Sequence, residues 1–158
     1  MCAVVENRVA DYGMSGQGDV PWISVVVPVH NGAKTIGACL QALLDQSVPA
    51  SAYEIIVVND GSLDETKELV KEFIGHSPSS AHVILLQQPQ CGPAAARNLG
   101  AGHARGELLL FTDADCAPKP DWIERMVAPF SDQEIVAVKG CYRTRQRGLL
   151  SRFVQIEY

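Results

Sequence analysis

Apolar residues follow two alternating patterns along the chain, short uninterrupted runs and longer stretches with helical spacing. The uninterrupted runs are rich in valine, isoleucine and leucine, which predicts strands buried on both faces of a sheet. The predicted strands that contain these runs lie at 22–28, 54–58, 82–86, 107–111 and 135–138. Between them, apolar residues recur every three or four positions, which predicts helices. The predicted helices cover 36–46, a stretch after Ser62 that includes Ile74, 94–104, 121–129 and a start at Gly148.

Strict alternation of strands and helices is typical of right-handed crossover connections. It predicts an α/β fold with three layers and a mostly parallel sheet. The length of 158 residues and the apolar fraction of 47% suit one globular domain. Residues 1–20 contain three glycines and little periodicity, so we expect a flexible leader there, followed by the domain over 21–158.

Charge and cysteine usage narrow the class of protein. The net charge of −5 argues against nucleic-acid binding, which usually needs a basic excess. Five scattered cysteines without a Cys-x-x-Cys pair suggest reduced thiols. No signal peptide or membrane-spanning stretch is visible in the sequence. We therefore expect a cytoplasmic protein, with the inner face of the membrane as a possible working surface.

Two aspartates, Asp113 and Asp115, follow the apolar run 107–111. Unpaired charges are too costly inside a buried strand, so these carboxylates are expected where the strand leaves the core. Ligands of open α/β sheets bind at that edge. The Asp-x-Asp spacing lets both carboxylates hold one hard cation, whereas the adjoining Cys116 suits packing better than such a cation. For so short a motif, the alternative is that one aspartate caps a turn and the other is a solvated carboxylate.

Three further loops at the same edge carry candidate binding residues. Pro28 ends the first strand and exposes backbone near His30 that could contact the edge of a base. A simple turn is the alternative, because Asn31 begins an Asn-Gly turn dipeptide. Ser62 and Glu65 form a predicted capping box, so Asp60 is not needed as the helix cap. Its carboxylate could accept a hydrogen bond from a base N–H or stabilise an Asx turn. Arg97 could pair with a phosphate or with the aspartates, or be a solvated surface residue. Dinucleotide-binding and P-loop glycine motifs are absent.

Four segments together resemble the family 2 glycosyltransferases of GT-A fold. They are Val25 to Asn31, Val57 to Ser62, Gly92 to Asn98, and Asp113-Ala114-Asp115, and the resemblance covers about 22–158. It implies nucleotide-binding roles for Pro28, His30, Asn31, Asp60, Arg97 and Asp113. Many members carry an aromatic residue at the His30 position, and Asp60 matches the aspartate that recognises the base. Asp115, with Asp113, matches the ligands of Mn²⁺ or Mg²⁺.

The resemblance implies transfer of a sugar from a nucleotide-diphosphate sugar, UDP-linked as first expectation, to an acceptor hydroxyl with inversion. The acceptor would be a saccharide or a lipid-linked group, as in cell-envelope polysaccharide synthesis. The catalytic base of this family lies later in the domain, so we expect it beyond Tyr158, and we expect this C-terminally truncated chain to be poorly active alone. Apolar residues at 149–156 would then favour self-association.

Alternatives come from other protein classes. A non-catalytic nucleotide-binding fragment would explain why no catalytic base is found. A nucleotidyltransferase would need a glycine-rich basic loop after the first strand. A receiver domain would need an aspartate pair where Pro28, Val29 and His30 stand.

Arg143, Arg145 and Arg147 would share one face of an extended segment. This face could meet an anionic membrane surface, although a solvated edge is the simpler interpretation.

Overall fold

A computed structural model describes residues 2–5, 23–76, 82–132 and 134–140. The strands are β1 (Cys2–Val5), β2 (Ile23–Val29), β3 (Tyr53–Asp60), β4 (His82–Gln88), β5 (Leu108–Phe111) and β6 (Ala137–Lys139). The α-helices are α1 (Ile36–Leu44), α2 (Thr66–His76), α3 (Pro93–His103) and α4 (Trp122–Val127). Single 3₁₀ turns lie at Ala50–Ala52 and Ala128–Ser131. No helix among these residues is long and apolar enough to cross a membrane.

The strands form one sheet in the order β4-β3-β2-β5-β1-β6. The four strands from β4 to β5 are parallel, while β1 runs antiparallel to both of its neighbours. In β2 and β3 every residue is buried, as expected for strands covered on both faces. The predicted α/β fold with a mostly parallel sheet is confirmed.

Helices cover the two faces of the sheet and create two apolar cores. The larger core packs α1, α4 and Val70 of α2 against one face, where Tyr53 also donates a hydrogen bond to the Leu43 carbonyl at 2.8 Å. The smaller core packs α3 on the opposite face, with Ala96 against Val26 and Ile56. These two cores produce the three layers predicted from the sequence.

Two terminal strands differ from the sequence prediction. Residues 1–20 were expected to form a leader that adds little to the fold, yet Cys2–Val5 pairs with β5 and β6. The strand predicted at 135–138 is observed as Ala137–Lys139 and pairs antiparallel with β1. The Cys-Ala-Val-Val stretch is short but free of charge, which suits a strand between two others. Pairing with a strand from the other end of the sequence has no local signal in either stretch.

Two details of the helices also differ. Helix α1 ends at Leu44 rather than at Gln46, whose amide nitrogen donates to the carbonyl of Ala42 and to that of Lys119, each at 2.8 Å. The capping box predicted from Ser62 is wrong. Helix α2 begins at Thr66, and the Ser62 hydroxyl instead accepts a hydrogen bond from another loop. The segments 141–147 and 148–158, with the arginine face and the predicted last helix, lie outside the described residues.

Candidate nucleotide and metal site

A cleft opens at the carboxyl edge of the parallel strands. Strands β2, β3 and β5 end there, so the residues that follow them converge although they are far apart in sequence. Helix α3 closes one side with its first residue. The cleft is lined by Pro28, Val29, His30, Asp60, Pro93 and Asp113.

Asp60 is the last residue of β3 and is only 3% exposed. Its Oδ1 accepts hydrogen bonds from the backbone N–H of Cys91 at 2.8 Å and from the Gln88 amide at 2.7 Å. Its Oδ2 accepts one from the Gly92 N–H at 2.8 Å. These donors, the Cys91 N–H foremost, hold the pKa of the Asp60 carboxyl below its ordinary value despite burial. Asp60 is therefore an ionised carboxylate at neutral pH, and its Oδ2 retains a lone pair.

His30 follows β2 and connects three loops. Its Nδ1 lies 2.7 Å from the carbonyl oxygen of Asp60. Its Nε2 lies 3.1 Å from the Asn31 amide nitrogen and 3.3 Å from the Gln90 amide nitrogen. The ring is thus fixed at the rim of the cleft by contacts on both of its nitrogens.

Asn31 adopts a left-handed backbone conformation with φ of 50°. Asparagine tolerates this region better than most residues. Its N–H donates to the Ser62 hydroxyl at 2.9 Å, and its Oδ1 accepts from the Leu63 N–H at 2.8 Å. Because its amide nitrogen contacts His30, the backbone N–H and both side-chain polar atoms of Asn31 face the protein.

A second set of hydrogen bonds joins the same two loops. The Gly32 N–H donates to Thr66 Oγ1 at 2.9 Å, and the Ala33 N–H donates to Asp64 Oδ2 at 3.0 Å. Asp64 Oδ1 in turn accepts from the hydroxyl and the N–H of Thr66. These bonds, led by that of the Thr66 hydroxyl, lower the pKa of the Asp64 carboxyl. The loop that carries His30 is therefore tied to the start of α2.

Asp113 and Arg97 form an ion pair at the inner side of the cleft. Arg97 Nη2 lies 2.6 Å from Asp113 Oδ1, and both side chains are about half exposed. Such an exposed pair adds little stability, but it orients the carboxylate. Arg97 lies on the second turn of α3, so the ion pair links this helix to the end of β5.

Asp113, Asp115 and Cys116 place one potential ligand atom each within 4.8 Å of one another. Burial, and then the charge of Asp115, raises the pKa of the Cys116 thiol to about 11. A protonated thiol is a poor ligand, and a hard cation prefers carboxylate oxygen. The donor set therefore fits Mn²⁺ or Mg²⁺ through the two aspartates and leaves the thiol aside.

The structure brings most of the predicted residues together. Pro28, His30, Asp60 and Asp113 line one cleft, and Arg97 pairs with Asp113. The position of Asn31 differs, because its polar atoms face neighbouring loops.

The sequence did not predict a role for Gln88 and Gln90, which contact Asp60 and His30. Their position just after the predicted strand 82–86 is the signal that could have identified them, since that strand also ends at the cleft edge.

Comparison with known proteins agrees with this geometry. The sequence profile described as Glycosyl transferase family 2 matches residues 24–157. Glycosyltransferase AglE of Haloferax volcanii is 40% identical over 124 residues, which cover 77% of this chain and 39% of that protein.

Solved structures give the same result at the level of the fold. S. aureus TarS 1-349 in complex with UDP-GlcNAc superimposes with a TM-score of 0.61 at 30% identity, covering 70% of this chain and 31% of that one. Mannosyltransferase PcManGT from Pyrobaculum calidifontis, in complex with GDP-Man and Mn²⁺, gives 0.67 at 30% identity, covering 72% and 33%. The chain spans less than half the length of each of these three proteins.

Proposed function

The chain belongs to glycosyl transferase family 2, and from this premise we propose that its described residues form the donor site of a metal-dependent glycosyltransferase. The observation that carries the proposal is the convergence of Pro28, His30, Asp60 and Asp113 in one cleft. Residues from three strand ends and the start of a helix meet there. The proposed substrate is a nucleotide-diphosphate sugar.

The nucleoside is proposed to lie at the end of the cleft that contains Pro28, His30 and Asp60. Asp60 is ionised and has a lone pair on Oδ2 that can accept a ring N–H, such as that of uracil. UDP is our first choice of nucleotide, supported by the similarity to TarS, which was solved with UDP-GlcNAc. GDP is the comparison to test, because PcManGT was solved with GDP-Man.

The diphosphate is proposed to lie beside Asp113 and Asp115. These two carboxylates would hold Mn²⁺ or Mg²⁺, and Mn²⁺ in the PcManGT structure supports a divalent ion. When bound, the ion supplies Lewis-acid stabilisation of the departing diphosphate. Arg97 keeps Asp113 oriented toward the cleft and is the nearest cation on α3 to this end of the site.

Transfer to a saccharide or lipid-linked hydroxyl, with inversion, requires a base that takes the acceptor proton. The two carboxylates that line the cleft are already engaged, Asp60 by three donors and Asp113 by Arg97. We propose that the base lies outside the described ranges.

Because both carboxylates that line the cleft are already hydrogen-bonded or paired, a second candidate is a nucleotide-binding module without transferase activity. Release of free sugar or transfer to an acceptor by this chain would decide for the enzyme.

The test is calorimetric titration of the 158-residue chain with UDP, in Mn²⁺ and in EDTA. We expect binding that depends on the metal, and we expect Asp115→Ala to weaken it by about ten-fold or more while the melting temperature stays unchanged. Asp132→Ala, which removes an exposed aspartate near the end of a 3₁₀ turn, is the matched control. Equal UDP affinity in Mn²⁺ and in EDTA would contradict the proposed metal site.

A further inference from the structure

The two ring nitrogens of His30 have opposite surroundings. Nδ1 faces a backbone carbonyl, that of Asp60, at 2.7 Å. Nε2 faces two side-chain amide nitrogens, those of Asn31 and Gln90, at 3.1 and 3.3 Å. A carbonyl oxygen only accepts hydrogen bonds, and an amide NH₂ group only donates them.

These contacts fix where the ring proton lies. Nδ1 must carry the hydrogen, because its partner is an acceptor. Nε2 must present its lone pair, because both of its neighbours are donors. The orientation of the Asn31 amide is fixed independently, since its Oδ1 accepts the Leu63 N–H at 2.8 Å and its NH₂ group must then face the ring. A hydrogen on Nε2 would be directed at two other donors.

One lone pair cannot serve two donors fully, so one of the two amides is replaceable. Gln90 has the longer contact and an exposed side chain, whereas Asn31 is held by three hydrogen bonds. A ligand group that donates a hydrogen bond could therefore take the place of Gln90 without disturbing the loop.

We propose that His30 is held as the neutral Nδ1–H tautomer by Asn31 and Gln90, and that its Nε2 accepts a hydrogen bond from an N–H or O–H of the bound nucleoside. Asn31 and Gln90 are then positioning residues that act through the imidazole. The tautomer follows from the contacts in the free chain, and only the nucleoside contact rests on the proposed function. The cleft thus presents two acceptors, Nε2 of His30 and Oδ2 of Asp60, to the nucleoside.

The tautomer is tested without nucleotide by ¹⁵N NMR of the histidine rings near neutral pH. The chain has four histidines, and loss of one set of signals in His30→Phe assigns the ring. We expect a pyrrole-type Nδ1 and a pyridine-type Nε2 for His30. His76 and His103 are useful references, because their Nδ1 atoms also face carbonyls, at 2.9 Å. An Nε2–H tautomer or a doubly protonated His30 ring would overturn the assignment.

A near-isosteric substitution tests the positioning role. Asn31→Asp keeps an acceptor for the Leu63 N–H and places an acceptor where the NH₂ group faces Nε2. We expect the His30 signals to show a hydrogen on Nε2 in this variant. Leu63→Asp, at a side chain that is 92% exposed, adds the same charge on the neighbouring loop and should leave the His30 signals unchanged. Unchanged His30 signals in Asn31→Asp would rule out the positioning role.

Binding of UDP in Mn²⁺ tests the nucleoside contact. His30→Phe keeps an aromatic face but removes the acceptor, and we expect UDP affinity to fall roughly 3- to 10-fold. His103→Phe, on the exposed face of α3, should bind as wild type does. Melting temperatures confirm that each variant is folded. Wild-type affinity in folded His30→Phe would show that the ring serves as an apolar surface and would overturn the contact.

Two nucleotides distinguish the donor groups. CDP lacks the ring N–H of UDP, and 2′-deoxy-UDP lacks one ribose hydroxyl. The affinity penalty of His30→Phe should disappear for whichever of them lacks the contacting group. A penalty that persists in full for both would contradict a contact with either group.

Absence of UDP and GDP binding by the wild-type chain would refute the proposed function and the nucleoside contact together. The NMR spectrum would still decide the tautomer.

Discussion

Asp60 illustrates how its surroundings set the role of a single carboxylate. Three donors converge on it, the Gln88 amide at the end of β4 and two backbone N–H groups from the loop that leads to α3. Asp60 orders this distant segment and lines the cleft, whereas the turn of its own loop is held by Asn59, whose Oδ1 accepts from the Ser62 N–H at 3.0 Å. The hydrogen bonds that order the loop are also what keeps the carboxylate ionised.

The lowered pKa of Asp60 predicts a pH-dependent contribution to stability. Because the folded state binds this proton less readily than the unfolded state, the contribution is present at neutral pH. It is lost as the pH falls from the ordinary aspartate range through the lowered pKa. Asp60→Asn should reduce the free energy of unfolding at neutral pH by about 1–3 kcal/mol, because its NH₂ group cannot accept these hydrogen bonds.

Urea denaturation of wild type and Asp60→Asn from neutral pH to about pH 3 measures this effect. The difference between the two proteins should shrink toward acid. Asp45→Asn, which changes an exposed aspartate at the end of α1, should parallel wild type throughout. A constant difference across the pH range would show that ionisation of Asp60 does not contribute.

At the scale of elements, helix α3 determines the shape of one side of the cleft. Its first residue, Pro93, lines the cleft, and Gly92 precedes it with a φ of 91° that favours glycine. Gly100 brings the helix close to the sheet, since a Cβ there would lie 2.4 Å from Val26 Cγ1. The same helix carries Arg97, so its distance from the sheet also affects the ion pair with Asp113.

Two alanine substitutions on α3 should have opposite effects on stability. Gly100→Ala should destabilise the protein by about 1–3 kcal/mol, because the added methyl group overpacks the interface with the sheet. At Gly102 a Cβ would meet no atom of the described residues within 4 Å, so Gly102→Ala should be neutral or stabilise by up to about 1 kcal/mol, since alanine favours helix. Thermal unfolding measures both. Equal melting temperatures would contradict the close approach at Gly100.

At the scale of the whole molecule, the two ends of the parallel strands carry different groups of polar residues. The cleft lies at the carboxyl edge, whereas a buried polar network lies at the amino edge. There the fully buried Glu54 accepts from the Ser24 hydroxyl at 2.6 Å and from Arg105 through its N–H and its guanidinium. Burial alone would raise the pKa of Glu54, but these donors lower it overall. The network joins β2, β3 and the segment before β5.

This separation predicts a variant that loses stability without losing ligand affinity. Arg105→Ala should reduce the free energy of unfolding by about 1–3 kcal/mol, because a buried carboxylate loses its charged partner. UDP affinity should stay at the wild-type value, because the substitution lies at the opposite edge. Arg105→Lys should recover part of the stability. A fall in UDP affinity in folded Arg105→Ala would show that the two edges are coupled.

The sequence predicted the fold, and it predicted which strand ends carry the candidate site, because both predictions depend on local patterns. Apolar runs identified the parallel strands, and their alternation with helices predicted the layers. Polar residues after those runs, such as His30, Asp60 and Asp113, could then be assigned to one edge. Strand β1, the antiparallel pairing of β6 and the contacts of Ser62 could not be predicted in this way, because each depends on a distant segment.

The sequence by itself therefore determined the α/β class, the family and which loops meet at the cleft. Tertiary structure decided which atoms meet, both in the cleft and in the buried network at the opposite edge. His30 and Gln90 are 60 residues apart, and Arg105 and Glu54 are 51 apart, so no local pattern links them. Strand order and helix packing brought these groups within hydrogen-bond distance. Hydrogen bonds depend on that distance and on direction, which only the folded chain provides.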